Sequence, residues 1–326
     1  MRSIWYEATG HARDVLISGD RDKPTVGSGE VLVGVKTSGV NPSDVKTRAG
    51  ARGPMAFPFC IPHSDGAGVI EEVGPGVDAN RLGERVWIWN GAWKRQFGTC
   101  AEYISIPHEM AVPLPENTSY EAGACLGVPA STACYGVFAD GDIEGQTLLV
   151  TGGAGAVGRY AIQFGKWGGA KVIATVSSDE KAEHAKTAGA DHIINYKSGD
   201  PVRAILDAAG GQHVDRIVEV EFGGNLNASN QVLRSGGVIA TYGSTAEPTP
   251  TLPFYDMMFN GITLKMYLIY LLKGSQREMV CRRVNEALLS GAVSHKVAEV
   301  LPIEETASAH EIVESGRLIG NVIIEI

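Results

Sequence analysis

The segment TLLVTGGAGAVG, residues 147–158, is followed a helix length later by KVIATV, residues 171–176. The first apolar run stops at glycines. After the glycines, apolar side chains fall at helical spacing on one face and polar side chains on the other. The apolar face comprises Val157, Tyr160, Ala161 and Phe164. The pattern predicts a buried parallel strand, a glycine turn, an amphipathic helix and a second parallel strand.

Three glycines of this turn have distinct physical uses. Gly153 is expected to let the chain turn sharply, and Gly155 to remove a side chain where a pyrophosphate approaches the backbone. Gly158 is expected to let the helix pack closely on the strand. The free amides at the helix start would then hold the anion. The segment therefore predicts a dinucleotide-binding site, the alternative being a glycine turn that binds nothing.

Length and composition limit the classes of protein that this chain can represent. It has 326 residues, of which 44% are hydrophobic and 20% charged, enough for two domains with cores of their own. A net charge of -9 disfavours nonspecific binding to nucleic acid or to anionic membranes.

Cysteine usage and the amino-terminal sequence favour a cytoplasmic location. The five cysteines are scattered singly, which predicts reduced thiols rather than a disulfide framework. The amino terminus lacks an apolar signal core. The most apolar later run, Ile262 to Leu272, is too short to span a membrane and contains Lys265.

Residues 1 to about 122 predict a small, mostly β domain. The runs EVLVGVKT, residues 30–37, and GVIEEV, residues 68–73, are rich in β-branched residues and are separated by turn-forming stretches. Further strands are expected over residues 85–89 and 101–106.

From about residue 125 to 295 the pattern alternates between strand and helix. The expected strands that follow residues 171–176 are 192–195, 214–220, 237–242 and 262–270. The expected helices are one from the capping-box spacing at 177–180 to Thr187, one begun by Asp200 and Pro201, 225–233, and one capped by Ser275 and ending at Ser290. This alternation predicts a doubly wound parallel sheet.

Several segments together resemble the medium-chain dehydrogenase/reductase superfamily, specifically its zinc-free quinone reductase branch, the zeta-crystallin-like proteins. The segments are GVNPSDVKTRAG (39–50), PHSDGAGVIEEVGPGV (62–77), GERVW (83–87), GTCAEY (98–103), GVPASTA (127–133), VTGGAGAVG (150–158) and NY (195–196). The resemblance implies an α/β protein with a GroES-like catalytic domain (1–123), a Rossmann domain (124–295) and a tail (296–326) that returns to the catalytic domain. It also implies NADPH as cofactor and an active site in a cleft between the domains.

The resemblance places no metal ligands in the active site. In the zinc alcohol dehydrogenases of this superfamily a Cys, a His and a second Cys hold the catalytic ion, beside an acidic residue. The matching positions here are Asn41, Ser64 and Val128, with Asp65 at the acidic position. Since none of the three replaces those ligands adequately, and His63 and Asp65 alone make no site, we expect no zinc.

Without a metal, reduction of an electron-poor carbonyl is favoured over oxidation of an alcohol. Alcohol oxidation requires stabilisation of an alkoxide, whereas a quinone or an activated enone is already electrophilic. The expected enzyme is an NADPH:quinone oxidoreductase that transfers hydride. An NADPH-dependent enone or 2-alkenal reductase is the first alternative. A non-catalytic NADPH-binding structural or RNA-associated protein is the second.

The end of the second Rossmann strand favours NADPH over NADH. NAD-binding enzymes usually place an acidic residue there to hold the ribose hydroxyls, but here Val176 is followed by Ser177. Lys181 and Tyr196 resemble, together with Ser177, the phosphate-binding set of the NADPH-dependent quinone reductases. The alternative is that Ser177 only caps a helix and that Lys181 is a solvated surface residue.

The remaining cofactor contacts are implied by the resemblance. They are Asn41 and Thr132 near the nicotinamide, Ala154, Gly155, Ala156 and Val157 at the pyrophosphate, Gly243 and Ser244 at a strand's carboxyl end, Leu268, Ile269 and Tyr270 along the nicotinamide face, and Asn321 in the tail. Asn321 stands where family members often have a Lys.

Three further features carry expectations of their own. Lys46 replaces a family Tyr near the substrate and is a candidate proton donor or anion binder, the alternative being an exposed loop residue. Trp87, Trp89 and Trp93 are expected either to form an aromatic wall for a quinone or to fill the core. The apolar strand expected over residues 262–270 would be a sheet edge, which predicts a homodimer that pairs this strand across a two-fold axis.

Overall fold

The structure is a computed structural model that describes residues 1–326. Its strands are β1 (Arg2–Trp5), β2 (Ile17–Asp20), β3 (Glu30–Val40), β4 (Asp65–Val73), β5 (Arg85–Ile88), β6 (Tyr103–Pro107), β7 (Ala111–Pro113), β8 (Thr147–Val150), β9 (Lys171–Val176), β10 (His192–Asn195), β11 (Val214–Glu219), β12 (Leu233–Thr241), β13 (Thr263–Met266), β14 (Val297–Pro302) and β15 (Asn321–Glu325). Its α-helices are α1 (Ala12–Val15), α2 (Pro42–Arg48), α3 (Tyr120–Gly123), α4 (Ser131–Phe138), α5 (Ala156–Trp167), α6 (Asp179–Thr187), α7 (Pro201–Ala208), α8 (Phe222–Val232), α9 (Phe254–Phe259), α10 (Ser275–Leu289) and α11 (Thr306–Ser315). None of the helices combines the length and the apolar character that crossing a membrane requires.

The chain divides into two compact units. The first unit contains residues 1–128 and 295–326, and the second contains residues 129–294. The first unit is discontinuous because β15, near the end of the chain, pairs antiparallel with β3, with Val322 opposite Val40.

The first unit is built on a mostly antiparallel sheet. The strand order is β14-β15-β3-β4-β5-β7, and β6 also pairs with β3. The central strand β3 is buried along both faces, with Val31, Leu32 and Val33 fully inaccessible to solvent. A strand that is covered on both faces has a continuous apolar sequence, and the run at residues 30–37 predicted β3 in this way. The expected mostly β, GroES-like architecture is confirmed.

Two of the three candidate wall tryptophans belong to the core of this unit. Trp87 lies on β5 with none of its surface exposed, and Trp89, just after β5, is 2% exposed. Their ring centroids lie 6.2 Å apart. Trp93 is half-buried. The core interpretation therefore holds for Trp87 and Trp89, and the aromatic-wall interpretation does not.

The second unit is a doubly wound parallel sheet, as the alternating pattern predicts. Its six strands have the order β10-β9-β8-β11-β12-β13, and every neighbouring pair is parallel. The chain moves outward from β8 to β10 and then returns to begin β11 on the other side of β8. The direction of winding thus reverses between β8 and β11, and ligands of such sheets bind outside the carboxyl ends of the strands at that point.

Two predicted boundaries in this unit are wrong. The strand expected over residues 262–270 ends at Met266, and a 3₁₀ turn follows at Ile269–Leu271, so Ile269 and Tyr270 are buried without being part of the sheet. Ser275 does not cap α10; it is the first helical residue and follows Gly274, which has a φ of 50°. Glycine adopts that left-handed conformation without a Cβ penalty, so the backbone and not a side chain sets this helix start.

Candidate functional site

The glycine turn between β8 and α5 is shaped by close contacts that exclude side chains. The left-handed residue of the turn is Gly152, with a φ of 64°, one position before Gly153, which was expected to let the chain turn sharply. A Cβ on Gly153 would lie 2.9 Å from the Cβ of Ala174, and one on Gly158 would lie 2.2 Å from the Gly152 carbonyl oxygen. Gly153 and Gly158 are therefore required by packing, Gly158 against the turn itself.

Gly155 is the position where the turn leaves space for a ligand. A Cβ there would meet only the Gly152 carbonyl oxygen, at 3.4 Å. Gly155 is the residue before α5, which begins at Ala156. Because glycine has no side chain, Gly155 does not cap the helix. The first amides of a helix have no partner within the helix, and their dipoles favour an anion. An open glycine beside free amides fits the diphosphate of a dinucleotide.

The three residues assigned to the adenosine phosphate lie together at the carboxyl ends of β9 and β10. The Lys181 ammonium donates to Ser177 Oγ at 3.2 Å, and the Tyr196 N–H donates to the carbonyl of Val176, the last residue of β9, at 3.1 Å. Val176 itself is buried. The helix cap is Ser178, whose Oγ accepts from the Lys181 N–H at 3.3 Å, so Ser177 does not cap the helix.

A cavity of about 490 Å³ lies within the second unit, at the carboxyl ends of β12 and β13. Gly243, Ser244 and Leu268, all assigned to the cofactor from sequence, line it, whereas Ile269 and Tyr270 do not. Tyr267 also lines it, and its hydroxyl donates to the Thr132 carbonyl oxygen at 2.9 Å.

Tyr267 lines this cavity, and the sequence did not identify it as a site residue. Burial raises its pKa well above the ordinary value, so the phenol remains a neutral donor. No local motif marks it, because it was read as one apolar residue in a strand that in fact ends before it.

In the first unit, the Asp65 carboxyl group joins Asn41 and Val128, two of the positions that the resemblance matches to zinc ligands. Its Oδ2 accepts from Asn41 Nδ2 at 2.9 Å and from the Val128 N–H at 3.0 Å. Asn41 is the residue before α2 and is 5% exposed. Asn41 Nδ2 and the Val128 N–H are both donors, so neither of these two groups can bind a cation. No group of three His, Cys, Asp or Glu side chains in the structure is arranged to hold a metal ion.

Two buried carboxyl groups flank Asn41. Asp44 accepts from the Asn41 N–H at 2.9 Å, and burial raises the pKa of the Asp44 carboxyl to about 7. Burial also raises the pKa of Asp65 well above its ordinary range. Because the hydrogen bonds from Asn41 oppose both shifts without cancelling them, the neutral acids are favoured here far more than in water.

A buried chain of hydrogen bonds leads from Asp65 to the returning tail. Thr99 Oγ1 donates to the Asp65 carbonyl at 2.6 Å and lies 2.7 Å from Ser38 Oγ, which lies 2.9 Å from His63 Nδ1. His63 Nε2 is in turn 2.8 Å from His310 Nε2. The sequence identified His63 only as a neighbour of the position that the resemblance matches to a zinc ligand, and it gave no signal for His310.

The last two assigned residues lie at the surface of the first unit. Lys46 is exposed on α2. Asn321 begins β15 and donates from its backbone N–H to the Lys296 carbonyl at 2.7 Å. Neither of the two side chains is buried.

The chain resembles known dehydrogenases and reductases along its full length. Family models for an alcohol dehydrogenase GroES-like domain and a zinc-binding dehydrogenase match residues 27–116 and 156–285. The quinone oxidoreductase of Rattus norvegicus is 30% identical, over 99% of this chain and 97% of that protein. An alcohol dehydrogenase of Geobacillus stearothermophilus is 28% identical over 94% of each chain. A mycobacterial protein solved in complex with NADPH has a TM-score of 0.87 and 26% identity, with 100% of both chains covered. The chain therefore belongs to the medium-chain dehydrogenase/reductase family, in its quinone oxidoreductase-like branch, and is an oxidoreductase that uses a nicotinamide cofactor.

Proposed function

We propose that the protein is an NADPH-dependent quinone reductase that works without a metal. The observation that carries this proposal is the Asp65 carboxyl group, which accepts hydrogen bonds from Asn41 Nδ2 and from the Val128 N–H. In the zinc-dependent relatives those two positions and Ser64 hold the ion. These residues do not fit zinc, so the Lewis acid that would stabilise the alkoxide of alcohol oxidation is not expected here.

The choice of NADPH is supported by the carboxyl end of β9. Val176 offers no carboxylate to a ribose. The Lys181 ammonium donates a hydrogen bond to Ser177, the residue that follows Val176. A cation with a neighbouring hydroxyl matches a phosphate monoester, since both donate to its oxygens. Asp179 and Glu180 are exposed in the first turn of α6. The solved mycobacterial relative with NADPH agrees with this assignment.

The roles of Asn41 and Lys46 follow from how firmly each is held. Asn41 is buried, and its amide is oriented by Asp65, so we assign it to positioning the reacting carbonyl or the nicotinamide. Lys46 is exposed and free to move, and we assign it to supplying a proton or attracting an anionic acceptor. The cofactor supplies the hydride when bound, while these residues bind and orient.

The proposal is tested by turnover of the purified protein with a panel of substrates. We expect NADPH consumption with 9,10-phenanthrenequinone and slower consumption with a 2-alkenal. We expect no reduction of NADP⁺ by simple alcohols. Vigorous alcohol oxidation, or a stoichiometric transition metal in the purified protein, would contradict the proposal.

Two other outcomes separate the alternatives. A clear preference for the 2-alkenal would favour an enone reductase. Tight binding of NADPH with no oxidation by any acceptor would favour a non-catalytic protein.

The proposed assembly is a homodimer formed through the second unit. Strand β13 is the last strand of its sheet and has no neighbour on its outer side. Met266 on β13 and Tyr255 and Phe259 on α9 are 65%, 68% and 81% exposed. An unpaired edge beside exposed aromatic side chains is a surface that soluble chains usually cover, and a second copy of the same edge would cover it.

A further inference from the structure

Glu219 is a fully buried carboxylate at the carboxyl end of β11, and neither the fingerprint nor the family resemblance assigned it a role. Four donors reach it. Oε1 accepts from Thr151 Oγ1 at 2.7 Å, from the Glu221 N–H at 2.7 Å and from Asn225 Nδ2 at 2.8 Å, and Oε2 accepts from Ser229 Oγ at 3.2 Å. A buried carboxylate is tolerated when its oxygens are satisfied in this way.

The first of these donors belongs to the glycine turn. Thr151 directly precedes Gly152, whose left-handed conformation makes the turn. Thr151 Oγ1 donates to Glu219 and also accepts from the Val220 N–H at 3.0 Å. The start of the glycine turn is thereby fixed to the residues just after β11 by side chains as well as by the sheet.

The residues just after β11 hold the loop that follows β12. The Phe222 N–H donates to the Gly243 carbonyl at 2.9 Å, and the Gly223 N–H donates to Ser244 Oγ at 2.9 Å. Gly243 and Ser244 line the 490 Å³ cavity. Residues 220–223, which end in the first turn of α8, therefore contact both the start of the glycine turn and the loop at 243–244.

We propose that Glu219 is a positioning residue for the cofactor, because it sets the spacing between the glycine turn and the loop at 243–244. The inference rests on the proposed function in one respect, that NADPH lies along this edge of the sheet. Glu219 does not contact the cofactor itself. It acts through Thr151 and through the start of α8, which carries Phe222 and Gly223.

The test compares NADPH binding by the wild type and by Glu219→Ala and Glu219→Gln. The alanine variant loses all four hydrogen bonds, and we expect its Kd for NADPH to rise about tenfold. The glutamine variant keeps an acceptor oxygen for Thr151, and its amide can donate to Ser229, so we expect binding within about threefold of the wild type. The rise should appear in KM for NADPH more than in kcat.

A matched control separates positioning from general loss of stability. Leu226→Ala opens a cavity under α8 in the same unit and should cost about 2–5 kcal/mol of the free energy of unfolding. At a temperature where this variant is folded, its Kd for NADPH should equal that of the wild type. If Glu219→Ala does not fold, Thr151→Val removes the hydroxyl alone and should weaken binding in the same direction.

The outcomes distinguish this inference from the proposed function. Failure of the wild type to bind NADPH would refute the proposed function. A wild type that binds NADPH together with folded Glu219→Ala or Thr151→Val that binds equally well would refute the role of Glu219. An equal loss of affinity in Leu226→Ala would also refute it, since the effect would then follow stability alone.

Discussion

His63 and His310 meet through their Nε2 atoms at 2.8 Å, although 247 residues separate them along the chain. Both side chains are wholly buried, and their rings are stacked with centroids 5.1 Å apart. Only one imidazole can donate in this contact and the other must accept, so the arrangement requires the accepting ring to be neutral and excludes protonation of both rings. The pair joins the loop before β4 to α11 of the returning tail.

Acid should destabilise the protein through this pair. Burial lowers the pKa of His63, and burial together with the Arg48 guanidinium lowers the pKa of His310 to about 3. A folded pKa below the unfolded value of about 6.5 means that the unfolded chain takes up the proton first. The contribution of the two neutral histidines to the free energy of unfolding is therefore complete above about pH 7, and it declines as the pH falls toward 3.

The measurement is urea unfolding of the wild type and of His310→Gln at pH 7.5 and pH 5. Between these values the wild type should lose about 2 kcal/mol more than the variant, which has one fewer histidine to protonate. Equal losses in the two proteins would show that His310 is not held neutral.

The backbone of His63 carries strain that its side chain offsets. Its φ is 78°, in the left-handed region, where a residue with a Cβ costs about 1 kcal/mol relative to glycine. His63→Ala loses the hydrogen bonds and keeps the strain, while His63→Gly loses the same bonds and relieves it. The glycine variant should be the more stable of the two by about 1 kcal/mol in urea unfolding. If the glycine variant is no more stable to urea than the alanine variant, the backbone of His63 is not strained.

Asp44 should give the opposite pH dependence from the histidines. Its pKa is raised to about 7 in the folded state, so the folded protein binds a proton that the unfolded chain, with a pKa near 3.8, has released. Its contribution is present at low pH and is lost as the pH rises through 7. Relative to Asp44→Asn, the wild type should lose about 2–3 kcal/mol of the free energy of unfolding between pH 5 and pH 8. A constant difference between the two proteins would contradict the raised pKa.

The sequence predicted the parts of the fold whose signals are local. The strand, turn and helix at 147–167 are contiguous, and their periodicity follows from burial of one face, so the parallel sheet was readable in advance. The fingerprint did not show that Gly152 takes the left-handed conformation while Gly153 packs against Ala174. The contact between His63 and His310 joins two distant segments, and no window of sequence contains it.

Candidate site residues likewise differ in whether their contacts are local in sequence. Ser177 and Lys181 lie four residues apart on one turn of chain, so their contact at 3.2 Å could be anticipated. Glu219 was interpreted only as part of a strand, because its partners come from the residue after β8 and from α8 as well as from the residues just after β11. Long-range polar networks therefore needed the structure.

The preference for NADPH should depend on Lys181. Its ammonium lies beside Ser177 at the end of β9, where the extra phosphate of NADPH is proposed to bind. Lys181→Ala should lower the ratio of kcat/KM for NADPH to that for NADH about tenfold, which corresponds to about 1.4 kcal/mol. Lys186→Ala on the same helix is the matched control, since Lys186 is exposed and pairs with Glu183 at 4.0 Å. An unchanged ratio in Lys181→Ala, or an equal fall in Lys186→Ala, would place the phosphate elsewhere.

The proposed dimer should come apart when charge is placed on its apolar edge. Phe259 and Met266 are exposed on α9 and β13, and a lysine on such a surface would have to be desolvated for two copies to meet. The double variant Phe259→Lys, Met266→Lys should sediment as a monomer at micromolar concentration, whereas the wild type should sediment as a dimer. Leu289→Lys adds the same charge at an exposed apolar residue at the end of α10 and should remain dimeric. A monomeric wild type would mean that this edge stays uncovered, and a dimeric double variant would mean that the two copies associate through another surface.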